Sequence, residues 1–316
     1  NEGQTLYEID INRNLIADIL IVAGGGTGGY GHTGTGAGGG GGGGVIFKQN
    51  EKLYGKYQIF VGKGGNKSST TGISQGNKGY NSQFYDYIAE GGGGGGIRDI
   101  SGSDGGSGGG SGGYTNLSLS GKGTQGFDGG FNNISSSTGI SGGGGGGGAG
   151  SKGHDSDGDN GGNGGYGFIS NITGQIQYYG GGGGGIGKTN DKHGFGTHGG
   201  TNGSKTYPSL DAKNHTGSGS GASSFEYNTS YVGSGGSGIV ILKFYKEYIN
   251  NKLNHFGYGG NDILNGSSGL IILRIEEKQF LTKEINNKYF NPYSYVFKQN
   301  NTNYITNNNN NDNYDP

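Results

Sequence analysis

Few residues in this chain are placed by type and spacing to do chemistry. Asp155, Asp157 and Asp159 alternate between His154 and Asn160. Alternating carboxylates can aim several oxygens at one hard cation, as a Ca²⁺ loop does. Asn160 stands where such a loop needs its Gly, however, and the closing Glu is missing, so a polar turn is the rival reading. Gly24-x-Gly26-x-x-Gly29 follows an apolar strand and spells the dinucleotide fingerprint. That motif needs a helix opening at its last Gly so that the helix N-terminus meets a pyrophosphate. Tyr30-Gly31-His32-Thr33-Gly34 follows instead, which reads as a strand entering a glycine segment. Six His occur without an i, i+4 pair, and only His193 and His198 share a loop in which they could meet around a metal. Gly-x-Ser-x-Gly strings such as residues 105–109 lack a strand-to-helix elbow and carry no hydrolytic meaning. With no nucleophile paired to a base, a non-enzymatic protein is expected.

Two further sets of residues point outward. Asn-x-Ser/Thr sequons lie at Asn66, Asn116, Asn133, Asn171, Asn202, Asn214, Asn228, Asn265 and Asn300. In a secreted eukaryotic protein they are glycan sites on exposed loops. The aromatics Tyr30, Tyr114, Phe127, Phe131, Tyr166, Phe195 and Tyr207 sit between glycine segments. They are expected either to form a surface that binds glycan or protein, or to seal the ends of packed segments.

The elements that must position these residues cannot be ordinary ones. Of 316 residues 83 are Gly, and only 28% are hydrophobic, against roughly 40% in a typical domain once its Gly is set aside. A conventional apolar core is excluded. Net charge is −1 with no basic block, so nucleic acid is not an expected partner. Cys is absent, which removes disulfides, thiolate metal sites and a Cys nucleophile. The apolar runs fall far short of the ~20 residues that span a bilayer. The chain begins at Asn1 and has no Met, as expected of a processed or truncated product.

Seventy-eight of the Gly precede Lys243, and the last 74 residues hold five Gly beside 17 Asn. This composition shift predicts a glycine-rich β/polyglycine domain over residues 1–245. Residues 246–316 are then an Asn/Tyr-rich extension with a polar tail. Within that extension Gly269-Leu270-Ile271-Ile272-Leu273-Arg274 repeats the strand-like Gly238-Ile239-Val240-Ile241-Leu242-Lys243.

Four pure-Gly runs, at 38–44, 91–96, 142–148 and 180–185, are seven, six, seven and six residues long. Matched lengths suit segments packed side by side, not free linkers. Polyproline II geometry gives three residues per turn and no internal hydrogen bonds, so every amide and carbonyl is free to pair with a neighbouring rod. Only Gly lets rods approach so closely. Isolated rods would melt, because ordering a Gly backbone costs ~1–2 kcal/mol per residue or more. A scaffold must therefore hold the rod ends. Strand-like runs at 5–11, 18–22, 45–48, 57–61, 83–89, 168–172, 175–179, 224–227 and 238–245 fence the Gly blocks and supply it. The expected fold is all-β, a β-sandwich with an inserted polyglycine II bundle and almost no α-helix.

Here the residues carry a resemblance. Residues 17–26 (ADILIVAGGG), the Gly run ending Gly44-Val45-Ile46, residues 57–65 (YQIFVGKGG), residues 79–84 (GYNSQF) with Ala89-Glu90-Gly91, and residues 235–243 (GGSGIVILK) follow one another in order. The series resembles the glycine-rich domain of phage tail, giant-virus and microbial surface proteins. It is similar in kind to the glycine-rich region in the ectodomain of anaplastic lymphoma kinase. The resemblance implies a binding or structural module at a virion or cell surface, with no catalytic residue to carry over.

The expected function is a structural protein of an extracellular or virion surface. It would form a fibre or filament with copies of itself, by strand addition through residues 5–11 or 270–275 and by spare backbone donors on outer rods. A host-recognition adhesin that binds a cell-surface glycan or protein without polymerising is the alternative. Ice binding ranks third.

Overall fold

The computed structural model describes residues 3–32, 35–67, 74–98, 100–113, 119–133, 141–188, 192–205, 207–225, 231–245 and 270–276. Ten strands occur in chain order: β1 Gln4–Val22, β2 Tyr30–His32, β3 Val45–Gly62, β4 Ser82–Phe84, β5 Tyr87–Ala89, β6 Phe168–Ser170, β7 Gln177–Tyr179, β8 Ser223–Phe225, β9 Ile239–Tyr245 and β10 Leu270–Glu276. No helix occurs among the described residues. The fold is all-β.

Six strands form one sheet in the order β10-β9-β1-β3-β4-β5, with β10 parallel to β9 and the other pairs antiparallel. The runs at 5–11 and 18–22 are one strand, as are those at 45–48 and 57–61. Register shifts between Ile11 and Leu15 and between Ala17 and Ile19 interrupt the β1–β3 ladder, and Asn50 and Gly55 opposite take positive φ. Such bulges bend a ribbon. The bend brings both ends of the ribbon to one place: Gly238, before β9, donates to the Gly62 carbonyl, and the Ser82 hydroxyl donates to Val22 while accepting from the Gly62 amide. The doubled ribbon is thus its own sandwich. Tyr7, Ile9, Ile11, Ile59, Val61 and Phe84 of one layer meet Ile19, Ile21, Val240 and Leu242 of the other in one buried core. Leu20, Val22, Ile239 and Ile241 face the opposite way, against Ile172 and Tyr179 on and beside the β6–β7 hairpin. Burial pushes the Tyr7 and Tyr179 hydroxyls up to about 12.

The two ends of the ribbon deliver the chain into the bundle. Amides of residues 38–44 donate in turn to Gly96, Gly144, Ser220, Gly93, Gly147, Gly217 and Glu90. Three neighbours recur with a period of three residues, which is the three-fold turn of polyglycine II. The carbonyls of Gly38 and Gly41 accept from Gly29 and Gly26, those of Gly39 and Gly42 from Gly110 and Ser107, and that of Gly40 from Gly183. Six rods therefore surround this one. The runs at 91–96, 142–148 and 180–185 are among its neighbours, so all four predicted runs share one lattice.

For three of the runs the matched lengths now have a cause. Gly44 runs into β3, Gly91 follows β5 and Gly180 follows β7, so these three rods are pinned by strands, whereas the run at 142–148 ends in the bend at 149–151. At the other end Ala37, Ile97, Ile186 and Ala222 form a buried apolar plug. Seven residues at ~3.1 Å each, about 22 Å, separate plug from sandwich. Between them a Cβ has no room: at Gly39 it would overlap the Gly183 carbonyl, and at Gly146 that of Gly40.

Candidate binding surface

Peripheral rods differ from central ones because they have an outside. In the rod at 160–166, Tyr166 is exposed, Asn160 and Asn163 are half-buried, and glycine pairs stand between them. Lys152 with Asp155 and Lys192 with Phe195 are exposed pairs at the same three-residue spacing. The three-residue turn thus converts a glycine lattice into rows of presented side chains. The pattern was readable in Asn160-Gly-Gly-Asn163-Gly-Gly-Tyr166, where the local period of three is plain once one rod is treated apart from the whole chain.

An outer rod also has amides with no rod beyond them. Many are capped by side chains. Asp155 accepts from Phe131 N–H, Asn163 from Phe195 N–H and Asp128 from Gly123 N–H, each at 2.8 Å. Asn202 accepts from Gly196 N–H at 2.9 Å, Asp104 from Lys122 N–H at 2.7 Å and Asp211 from Ser234 N–H at 2.8 Å. Asx carbonyls here take the place of a missing neighbour, as they do at helix N-termini. The row of spare donors expected on the outer rods is closed at these positions.

The aspartates of 155–159 are consequently drawn apart. Asp155 holds the Phe131 amide and Lys152 (3.2 Å), Asp157 folds back on the Asn160 amide and side chain (3.0 and 2.6 Å), and Asp159 faces Lys188 and Lys192 at 4.0 Å. The Asn160 side chain holds the Asp157 carboxyl below its usual range. Among the described residues no three His, Cys, Asp or Glu side chains gather as a metal site. His193 and His198 each accept a backbone amide, from Gly187 at 3.4 Å and Gly167 at 3.0 Å. His198 also stacks on Tyr178 at 3.9 Å with Tyr166 beside it, and burial depresses its pKa.

The aromatics divide. Tyr30 is buried at the plug end of its rod, whereas Phe127, Phe131, Tyr166, Phe195 and Tyr207 are exposed and Tyr114 lies outside the described residues. Lys152 lies over the Phe131 ring at 4.5 Å. Of the sequons, Asn133, Asn171, Asn202 and Asn214 are exposed and Asn66 is half-buried. Asn116, Asn228, Asn265 and Asn300 lie outside the described residues. After Tyr245 only β10 is described, so the proposed extension over 246–316 is represented by that one strand.

One aromatic group escaped the sequence reading. Tyr54 and Tyr57 on the bend of β3 meet Tyr85 and Tyr87 at the β4–β5 turn, around a hollow of about 340 Å³. Because both ribbon ends enter the bundle, this bend lies at the opposite pole. No spacing rule announces such a group, since it takes the β3–β4 pairing of Ile59 with Phe84, together with the bend, to join residues about 30 apart.

A sandwich formed by one doubled ribbon and carrying a glycine lattice defines a class of protein whose framework is backbone pairing. A protein-family model for the glycine-rich domain matches residues 2–245, and the chain belongs to that family. No curated protein matches it.

Proposed function

We propose that the chain is a non-enzymatic surface protein, extracellular or on a virion, in which the lattice acts as a rigid display scaffold. The observation that carries this reading is the outer face, where residues three apart, Lys152 and Asp155 or Lys192 and Phe195, are presented while Asp and Asn side chains cap backbone donors. Rigid elements hold presented groups more precisely than loops do. Capping disfavours lateral growth of the lattice, so the reading leans toward recognition by a discrete particle whose partner is a cell-surface glycan or protein.

The fibre reading keeps one specific feature in its favour. Along β1 only residues 17–22 pair with β9, and no described strand lies against the second edge of residues 8–11. Self-pairing there would set Glu8 and Asp10 against their own copies, a like-charge cost of the kind that guards edge strands. Sedimentation velocity and negative-stain imaging of the full chain over a hundredfold concentration range separate the two. Single particles throughout fit the display reading; filaments that persist on dilution would replace it with the fibre.

A further inference from the structure

We propose that the tyrosine-lined hollow at the pole opposite the glycine lattice is a saccharide-binding site that takes the terminal hexose of a glycan. Two of its rings are locked. The Tyr57 hydroxyl accepts from the Tyr54 amide at 3.1 Å and donates to the Tyr54 carbonyl at 3.2 Å. Its ring packs on Phe84 at 5.3 Å and edge-on to Tyr85 at 5.9 Å. The Tyr87 hydroxyl donates to Glu51 at 3.2 Å. Tyr85 holds a left-handed backbone, φ 53°, with its carbonyl accepting from the Gln83 side chain at 3.0 Å. The two-residue turn between the paired Phe84 and Tyr87 demands that positive φ, and it sets where the Tyr85 ring projects.

Core sealing does not account for the group. Phe84 is fully buried and already closes the core, whereas Tyr54 is 65% exposed and Tyr85 57%. The rest of the lining combines the apolar Ile19, Leu53 and Phe84 with Glu51, Lys52 and Lys56. A hexose has a C–H face that lies against an aromatic ring and a rim of hydroxyls that need donors and acceptors. A wholly apolar ligand would leave Glu51, Lys52 and Lys56 unused, and a small anion would leave the rings unused and meet Glu51. The volume is at the lower end for ligand pockets and suits one terminal sugar. Rings locked before binding add little ordering cost.

The proposal stands apart from the display reading, since it holds for a particle or a polymer. The full chain is applied to an array of immobilised neutral oligosaccharides ending in hexose or N-acetylhexosamine, and the best of them is titrated calorimetrically. Binding is expected, weakened about tenfold or more by Tyr54→Ala and by Tyr85→Asn, which tolerates the left-handed backbone. Ile176→Ala, exposed on the β6–β7 hairpin, leaves it unchanged. Melting curves matching wild type establish that the variants fold. No binding on the array, or binding indifferent to both tyrosine substitutions, overturns the proposal.

Discussion

At the scale of single residues, glycine here is a matter of space more than of flexibility. A methyl at Gly146 would overlap the Gly40 carbonyl, backbone that other rods hold in place. Gly146→Ala is expected to cost about 3 kcal/mol or more, at the upper end for an overpacked interior. Gly55→Ala is the control: its Cβ meets nothing within 4 Å, but φ is +104°, so only backbone strain of about 1 kcal/mol is expected. Urea unfolding of the pair measures the difference. His198 supplies a pH test. Its Nδ1 must stay unprotonated to accept from Gly167, and burial holds its folded pKa below the usual histidine value of about 6.5. The unfolded chain therefore binds the proton first as pH falls. The contribution is complete above about 6.5 and is lost as pH drops through the folded value. Thermal melts between pH 7.5 and 5 should show this fall, and His198→Asn should flatten it.

At the scale of elements, a peripheral rod depends on its caps. Removing the Asn163 side chain leaves the Phe195 amide without its acceptor and should cost about 1 kcal/mol. Amide exchange at Phe195 should quicken while exchange at residues 38–44 stays unchanged. Loosening of the central rod as well would mean that the caps hold the whole lattice. The bent ribbon makes an equivalent point for the strands. Residues 5–11 carry Tyr7, Ile9 and Ile11 into the shared core, so they belong to the chain's own sandwich whatever their outer edge meets.

For the whole molecule, the lattice implies cooperativity. Gly40 accepts from Gly183, Gly146 donates to Gly183, and Gly39 donates to Gly144, so three of the runs bond directly to one another. The four pure-glycine runs have no side chains to bury, and none can pay its ordering entropy alone. Exchange at Gly41, Gly146 and Gly183 should therefore proceed through one global opening with a common free energy. Independent exchange in the three runs would show the rods to be separable. The all-β class, the strand-forming stretches and the common lattice of the glycine runs were legible in the sequence, because composition excludes helix and a conventional apolar core for the whole chain. Thr5 to Ile11 and Asp18 to Val22 read as two strands because bulge residues interrupt their alternation. Their union and bend depend on pairing with β3.

The same division holds for the candidate sites. The sequence by itself determined that order must come from backbone hydrogen bonds, since so few side chains are available to bury. It also showed, in glycine runs of six and seven residues, that the rods are matched in length. Tertiary structure alone decided which rod is central, which amides Asp and Asn side chains cap, and that Asp155, Asp157 and Asp159 diverge. It alone gathered Tyr54, Tyr57, Tyr85 and Tyr87 at one pole. The physical reason is that glycine segments are locally identical, so their neighbours are chosen by where the bent ribbon delivers their ends.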